Sequence, residues 1–214
     1  MIQIRNLYLK YIREYYALYD INLNITAGET VVLTGEENSG KTSLLRILAK
    51  LEKMSKGEVY IKDISLKKLN LNSDISMAYL PEKPVFLKNK TVYENLKYAL
   101  KVRKMQPKDQ EELINEMLID YNIEKFKDVK VEELTLLESY FIALVRMNLR
   151  KLDIVLIDNI FDALNDDECN FLIEFINKTI IEKGVTTVIA TTKNEIAEKF
   201  NGRIVKMENG SIQD

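Results

Sequence analysis

Lys41 and Thr42 close the stretch Gly35-Glu36-Glu37-Asn38-Ser39-Gly40-Lys41-Thr42, which has the spacing G-x-x-x-x-G-K-[ST] of a phosphate-binding loop. In such a loop successive backbone N–H groups wrap a phosphate, and the positive end of the following helix adds to their pull. Gly40 has no Cβ and lets the backbone come close. Lys41 is expected to reach the β- and γ-phosphates of a nucleotide, and the Thr42 hydroxyl to hold Mg²⁺. Gly35, Asn38, Ser39 and Ser43 complete the expected contacts. The rival reading is a strand–helix turn that binds nothing. The metal also needs an acidic partner. Asp153-Ile154-Val155-Leu156-Ile157-Asp158 reads as a buried strand ending in a carboxylate, at the end where ligands collect in α/β sheets. Asp158 is therefore expected beside Thr42 as a metal ligand, with a helix-capping Asp as the alternative.

The elements around these residues follow from pattern. Thr30–Thr34 is a β-branched strand before the loop, and Ser43 to about Glu52 has helical apolar spacing. Residues 2–9 and 18–26 alternate apolar and polar, as half-exposed strands do, with a tyrosine-rich stretch (Tyr8, Tyr11, Tyr15, Tyr16) between them. Strands are expected at Gly57–Ile61 and Ile75–Leu80, the latter stopped by Pro81 and Pro84. Thr91-x-x-Glu94 is a capping box for a helix to about Lys104, and Pro107 opens another to Tyr121, with Leu113, Met117 and Leu118 on one face. Thr135-x-x-Glu138 caps a helix to about Arg150. A helix from Asp166 to Lys183, a strand Thr186–Thr191, a short helix and a hairpin from Arg203 to Ile212 turning at Asn209-Gly210 complete the chain. This alternation predicts an α/β fold: a P-loop NTPase (RecA-like) core with a parallel sheet, an N-terminal antiparallel β subdomain and a helical insert. The expected division of the single domain 1–214 is a core lobe of about 1–83 and 151–214 and a helical subdomain of about 84–150.

Composition excludes several classes. Of 214 residues 46% are hydrophobic, enough for a sizeable core, and the net charge of −2 lacks the basic excess of a nucleic-acid binder. No apolar run is long enough to span a membrane, and the N-terminus is not a signal peptide. A single cysteine, Cys169, excludes an internal disulfide, fits a reducing compartment and reads as core filler. The absence of histidine excludes every histidine-based mechanism.

The order of these parts resembles the ATP-binding cassette family, the nucleotide-binding subunits of ABC transporters, over the whole chain. Tyr11 lies where the family puts its adenine-stacking aromatic, with Tyr8 the alternative. Tyr16-Ala17-Leu18-Tyr19-Asp20-Ile21-Asn22-Leu23 resembles the strand before the loop. Tyr79-Leu80-Pro81-Glu82-Lys83-Pro84-Val85-Phe86 resembles the segment with a metal-binding Gln that meets the transmembrane partner, and Thr91-Val92-Tyr93-Glu94-Asn95-Leu96 the run that follows. Leu134-Thr135-Leu136-Leu137-Glu138 stands where the signature L-S-G-G-Q belongs, with Arg146 at the usual distance. Asp158-Asn159-Ile160-Phe161-Asp162-Ala163-Leu164-Asn165 resembles D-E-P-T-S-G-L-D, and Thr191-Thr192-Lys193 resembles T-H-D.

The departures bear on chemistry. Asn38 replaces a loop glycine, mildly, because Asn tolerates left-handed backbone. Glu82 replaces the Gln and, as a carboxylate, still suits Mg²⁺. Asn159 stands for the general-base Glu and Thr192 for the γ-phosphate-sensing His, so both catalytic positions are expected to be impaired. Leu136 and Leu137 replace glycines that bring backbone N–H groups to the opposite subunit's γ-phosphate, while Thr135 keeps a hydroxyl that also suits a helix cap.

The resemblance implies ATP and Mg²⁺ as cofactors, a second nucleotide-binding subunit in a homo- or heterodimer, a transmembrane permease partner, and a cytoplasmic, peripheral place on the inner face of a membrane. It implies no nucleic acid and no direct membrane insertion. The expected function is an ATP-binding transporter subunit with impaired or absent hydrolysis, which leaves enzyme status open. The alternatives are a hydrolytically active transport ATPase, with water held by Glu82, Asp162 or a partner, and a non-transport scaffold regulated by ATP. A small-molecule kinase fits less well, because the run after Asp158 and the signature helix are both recognisable.

Overall fold

The computed structural model describes residues 1–12, 15–71, 74–101 and 105–213. The alternating apolar residues at the start build β1 (Ile2–Ile12), which pairs antiparallel with β2 (Tyr15–Ile25). Both strands run further than their patterns indicate. Asn6 (φ 45°) and Asp20 (φ 49°) take left-handed backbone, the register shifts at several points, and Asn6 Nδ2 donates to Asp20 Oδ1 at 2.9 Å. These bulges break the period of two, so the tyrosine-rich stretch looks irregular in sequence yet its described residues are strand.

After β2 come β3 (Thr30–Thr34), α1 (Lys41–Leu48), β4 (Lys56–Ile61), β5 (Ile64–Ser65) and β6 (Met77–Leu80). Helix α1 stops before the expected Glu52, because Lys50 turns left-handed at φ 58°. Further on lie α2 (Val92–Lys101), α3 (Pro107–Asp120), α4 (Leu136–Met147), β7 (Ile154–Asp158) and α5 (Asp166–Ile176). The expected end of α2 at Lys104 lies outside the described residues. Helix α5 gives way at Asn177–Ile181 to a wider π turn, where the Thr179 hydroxyl donates to the Phe175 carbonyl at 2.7 Å. The chain closes with β8 (Thr186–Thr191), α6 (Asn194–Lys199), β9 (Arg203–Glu208) and β10 (Ser211–Ile212).

One compact unit comprises Met1–Glu82 and Leu152–Asp214, the other Lys83–Lys151. The first holds two sheets. The smaller is antiparallel, in the order β2-β1-β4-β5. The larger runs β10-β9-β3-β8-β7-β6, parallel except for the β9–β10 hairpin. Every residue of β3, β7 and β8 is buried, which is why these strands read as near-continuous apolar or β-branched runs. Their register brings Thr34 beside Thr191 and Asp158 beside Ala190, so the loops after all three strands leave from one edge of the sheet.

The second unit contains α2, α3 and α4. Thr91 and Glu94 form the expected reciprocal cap. Buried Asn95 accepts from the Leu87 N–H at 2.8 Å and donates to the Thr91 carbonyl at 3.0 Å, which fixes the segment before α2. Arg146 donates to the Val85 carbonyl at 2.8 Å and covers the Phe86 ring. On the face expected to hold Leu113, the fully buried residue is its neighbour Ile114. Among the described residues, no helix is long and apolar enough to cross a membrane.

Candidate functional site: a phosphate-loop cavity

The loop between β3 and α1 is shaped by two glycines. Gly35 has φ 144°, and a Cβ there would lie 2.1 Å from the Met207 carbonyl oxygen. Gly40 has φ 101°, and its Cβ would meet the Ala17 carbonyl oxygen at 2.7 Å. Glycine at 40 is thus required by the backbone of β2 as well as by the approach of a ligand. Asn38 takes φ 63°, the left-handed conformation expected of it. The hairpin turn of β9–β10 is tied in: the Gly210 N–H donates to the Ser39 carbonyl at 3.1 Å, and the Gly210 carbonyl accepts from the Tyr19 N–H at 2.8 Å.

Lys41 is 5% exposed, and its ammonium donates to the Gly35 carbonyl (2.8 Å), the Glu36 carbonyl (2.7 Å) and Ser39 Oγ (3.0 Å). Burial pulls its pKa below the usual lysine value, against the opposing fields of Asp162, Asp158 and Glu37. Next to it the Thr42 hydroxyl donates to Asp158 Oδ1 at 2.9 Å, joining the loop to the end of β7. The Tyr79 hydroxyl donates to the other oxygen, Oδ2, at 2.8 Å. Burial raises the Asp158 pKa, and the two hydroxyl donors partly offset that rise. Tyr79 was not anticipated from sequence. Its signal was a polar-tipped ring within an otherwise apolar strand, because a buried tyrosine hydroxyl usually finds a partner.

A cavity of about 590 Å³ opens over the loop. Lys41, Thr42, Ser43, Glu82, Asn159, Asp162 and Thr192 line it, and so do two half-exposed rings, Tyr11 and Tyr15. The Tyr11 hydroxyl lies 3.2 Å from Ser43 Oγ. Tyr8 is not among the lining residues; its ring meets Tyr16 and Tyr19 edge-on. Asn159 has φ 56°, its N–H donates to the Ala190 carbonyl, and its Oδ1 is buried with no hydrogen-bond partner among the described residues. Asp162 Oδ2 accepts from the Thr192 hydroxyl at 2.9 Å, while Oδ1 is likewise buried and unpartnered. Lys193 donates to the carbonyls of Phe161 (3.0 Å) and Leu164 (3.3 Å), a tie that sequence reasoning missed.

No group of three or more His, Cys, Asp or Glu side chains that could hold a metal occurs among the described residues. The Thr42 hydroxyl, having donated its proton to Asp158, keeps lone pairs for a cation, and Asp158 and Glu82 are hard oxygen donors near the same cavity. That set suits Mg²⁺ bound mainly through phosphate oxygens and water rather than an all-protein cage.

Residues 18–162 match the family described as ABC transporter, which is well over half of the chain. The chain belongs to this family. Among its ABC relatives, the sulfate/thiosulfate import ATP-binding protein of Halalkalibacterium halodurans is 33% identical over 92% of this chain and 56% of its own length. A probable sulfate/thiosulfate import ATP-binding protein of Chlorella vulgaris is 30% identical over 92% of this chain and 83% of its own length. The methionine import ATP-binding protein of Clostridioides difficile is 25% identical over 99% of this chain and 67% of its own length. The chain spans a little over half the length of the Halalkalibacterium relative. A solved ATP-binding cassette, dimeric in a post-hydrolysis state with ADP and Pi, superposes with a TM-score of 0.87 at 26% identity, over 100% of this chain and 97% of that one. The fold is thus that of an ABC cassette.

Within this family the signature segment lies in the helical unit. There Thr135 caps α4: its hydroxyl oxygen accepts from the Glu138 N–H at 3.3 Å, and Glu138 accepts from both the Thr135 N–H and hydroxyl. Leu136 is 41% exposed at the first turn of the helix.

Proposed function

We propose that this chain is the Mg–ATP-binding subunit of an ABC transporter. It pairs with a second cassette and docks on a membrane permease through the segment at about 80–90 and the helical unit. The observation that carries the reading is the Thr42–Asp158 hydrogen bond, which places a hydroxyl and a buried carboxylate beneath a P-loop cavity. The names of the relatives, import ATP-binding proteins, and the dimeric cassette support the transporter setting and the paired subunit. Mg²⁺, when bound, neutralises charge on the phosphates. The chain's own part is to cradle the phosphates with the loop N–H groups, to move Lys41 from the loop carbonyls onto phosphate oxygens, and to stack the base on Tyr11.

Hydrolysis by the family's usual route is slow in this reading. The Asn159 amide cannot accept a proton, Thr192 offers no imidazole, and loss of a general base alone costs about 10²–10⁴ in rate. ATP then works mainly by differential binding to two conformations. The first test is nucleotide binding with Mg²⁺ to the wild type and to Lys41→Ala. Saturable binding that the variant loses is expected; equal binding by both sinks the reading. Co-purification with a membrane subunit tests the transporter setting, and isolation without one favours an ATP-regulated scaffold.

A further inference from the structure

Two residues that depart from the family pattern, Asp162 and Thr192, lie 30 residues apart in sequence and are each other's hydrogen-bond partners at 2.9 Å. Both line the P-loop cavity with Lys41, Thr42 and Asn159. The Thr192 hydroxyl occupies Asp162 Oδ2, and Oδ1 is buried without a protein partner among the described residues. A buried carboxylate oxygen requires a donor. Beside a bound polyphosphate that donor must come between two anions, and water is the small donor that can do so. A water held between a carboxylate and a terminal phosphate is placed both to lose a proton and to attack.

We propose that Asp162 is the general base of this chain's residual ATP hydrolysis and that Thr192 is its positioning residue. The inference rests on the ATP-binding reading above. As the water oxygen bonds to the terminal phosphorus, its proton passes to Asp162 Oδ1. The bond from that phosphorus to the bridging oxygen breaks, and its electron pair stays on ADP. Inorganic phosphate leaves, and Asp162 returns its proton to solvent. Asn159 has no part in the transfer, because an amide oxygen is too weak a base.

The test measures Mg–ATP turnover, affinity for a fluorescent ATP analogue and thermal melting on the full chain, as wild type, Lys41→Ala, Asp162→Asn, Thr192→Val, Thr192→Ser and Asn159→Glu. The wild type should turn over slowly but faster than Lys41→Ala. Asp162→Asn should lower kcat about 10²-fold while affinity stays within about twofold and melting is unchanged. Thr192→Val should lower kcat with KM unaltered, and Thr192→Ser should restore it. In an Asn159→Glu background, Asp162→Asn should cost little, because the new carboxylate takes the proton; a structural role for Asp162 would cost the same in both backgrounds. The proposal is overturned if Asp162→Asn turns over like the wild type, if kcat and affinity fall together, or if the wild type is no faster than Lys41→Ala. Retention of ATP binding by Lys41→Ala would instead overturn the loop reading on which it rests.

Discussion

At Asn159 backbone and chemistry pull in opposite directions. Its φ of 56° suits Asn or Gly, whereas a residue with a longer side chain in left-handed backbone costs about 1–2 kcal/mol. Asn159→Glu should therefore lower unfolding stability by about 1 kcal/mol in urea titration while it adds a carboxylate to the cavity, and Asn159→Gly should leave stability nearly unchanged. Gly35→Ala is a harsher change. A Cβ placed 2.1 Å from the Met207 carbonyl oxygen at φ 144° forces the loop or β9 to move, and a loss of about 2–3 kcal/mol with weakened nucleotide binding is expected. The spacing of the loop and the apolar run before Asp158 were enough to bring Lys41, Thr42 and Asp158 into one discussion before any coordinates. The Tyr79 bond to Asp158 and the Asp162–Thr192 pair were not legible, because each depends on which strand ends become neighbours across the sheet. The sequence marked Asp162 and Thr192 only as separate departures.

Elements were legible where one local cause decides them. Capping boxes at Thr91, Thr135 and Asn165 start α2, α4 and α5, and Asn209-Gly210, both at positive φ, turns the final hairpin. Element ends were less legible. Lys50 adopts left-handed backbone without being Gly or Asn, and Lys50 Nζ donates to the Leu69 carbonyl at 2.5 Å, so a tertiary contact accompanies the end of α1. The start of the large sheet is held by Glu29, which accepts from Arg203 Nε and from the Thr26 N–H, both at 2.7 Å. Burial acts to raise the Glu29 pKa, but Arg203 and Thr26 outweigh it and hold the carboxyl below the usual range. A lowered folded-state pKa contributes stability that is present above the unfolded value and lost as pH falls through the folded one. Glu29→Gln should thus cost about 1 kcal/mol or less near pH 7, since Arg203 is partly exposed, and the wild-type advantage should vanish below about pH 3 in denaturation curves.

For the whole molecule, the parallel core and the helical unit are those of an ABC cassette, while the residues that would meet an opposite subunit are unusual. Leu136→Gly with Leu137→Gly should strengthen ATP-dependent self-association in sedimentation velocity, at a cost of about 1–2 kcal/mol in helix stability. Excess Mg–ATP should raise the melting temperature, by the equivalent of about 2.7 kcal/mol at a hundred times Kd, and Lys41→Ala should abolish that shift. The hydrogen bonds from the turn at Gly210 to Ser39 and Tyr19 bear on time as well as on shape. On the ribosome the loop residues emerge early, but the hairpin that fixes them follows almost a whole chain later. The strands flanking β3 in the sheet, β8 and β9, also come last. A nascent chain therefore has no finished nucleotide cradle to offer until synthesis is nearly complete. ATP cannot guide its early folding, and only a completed chain can be rescued by it.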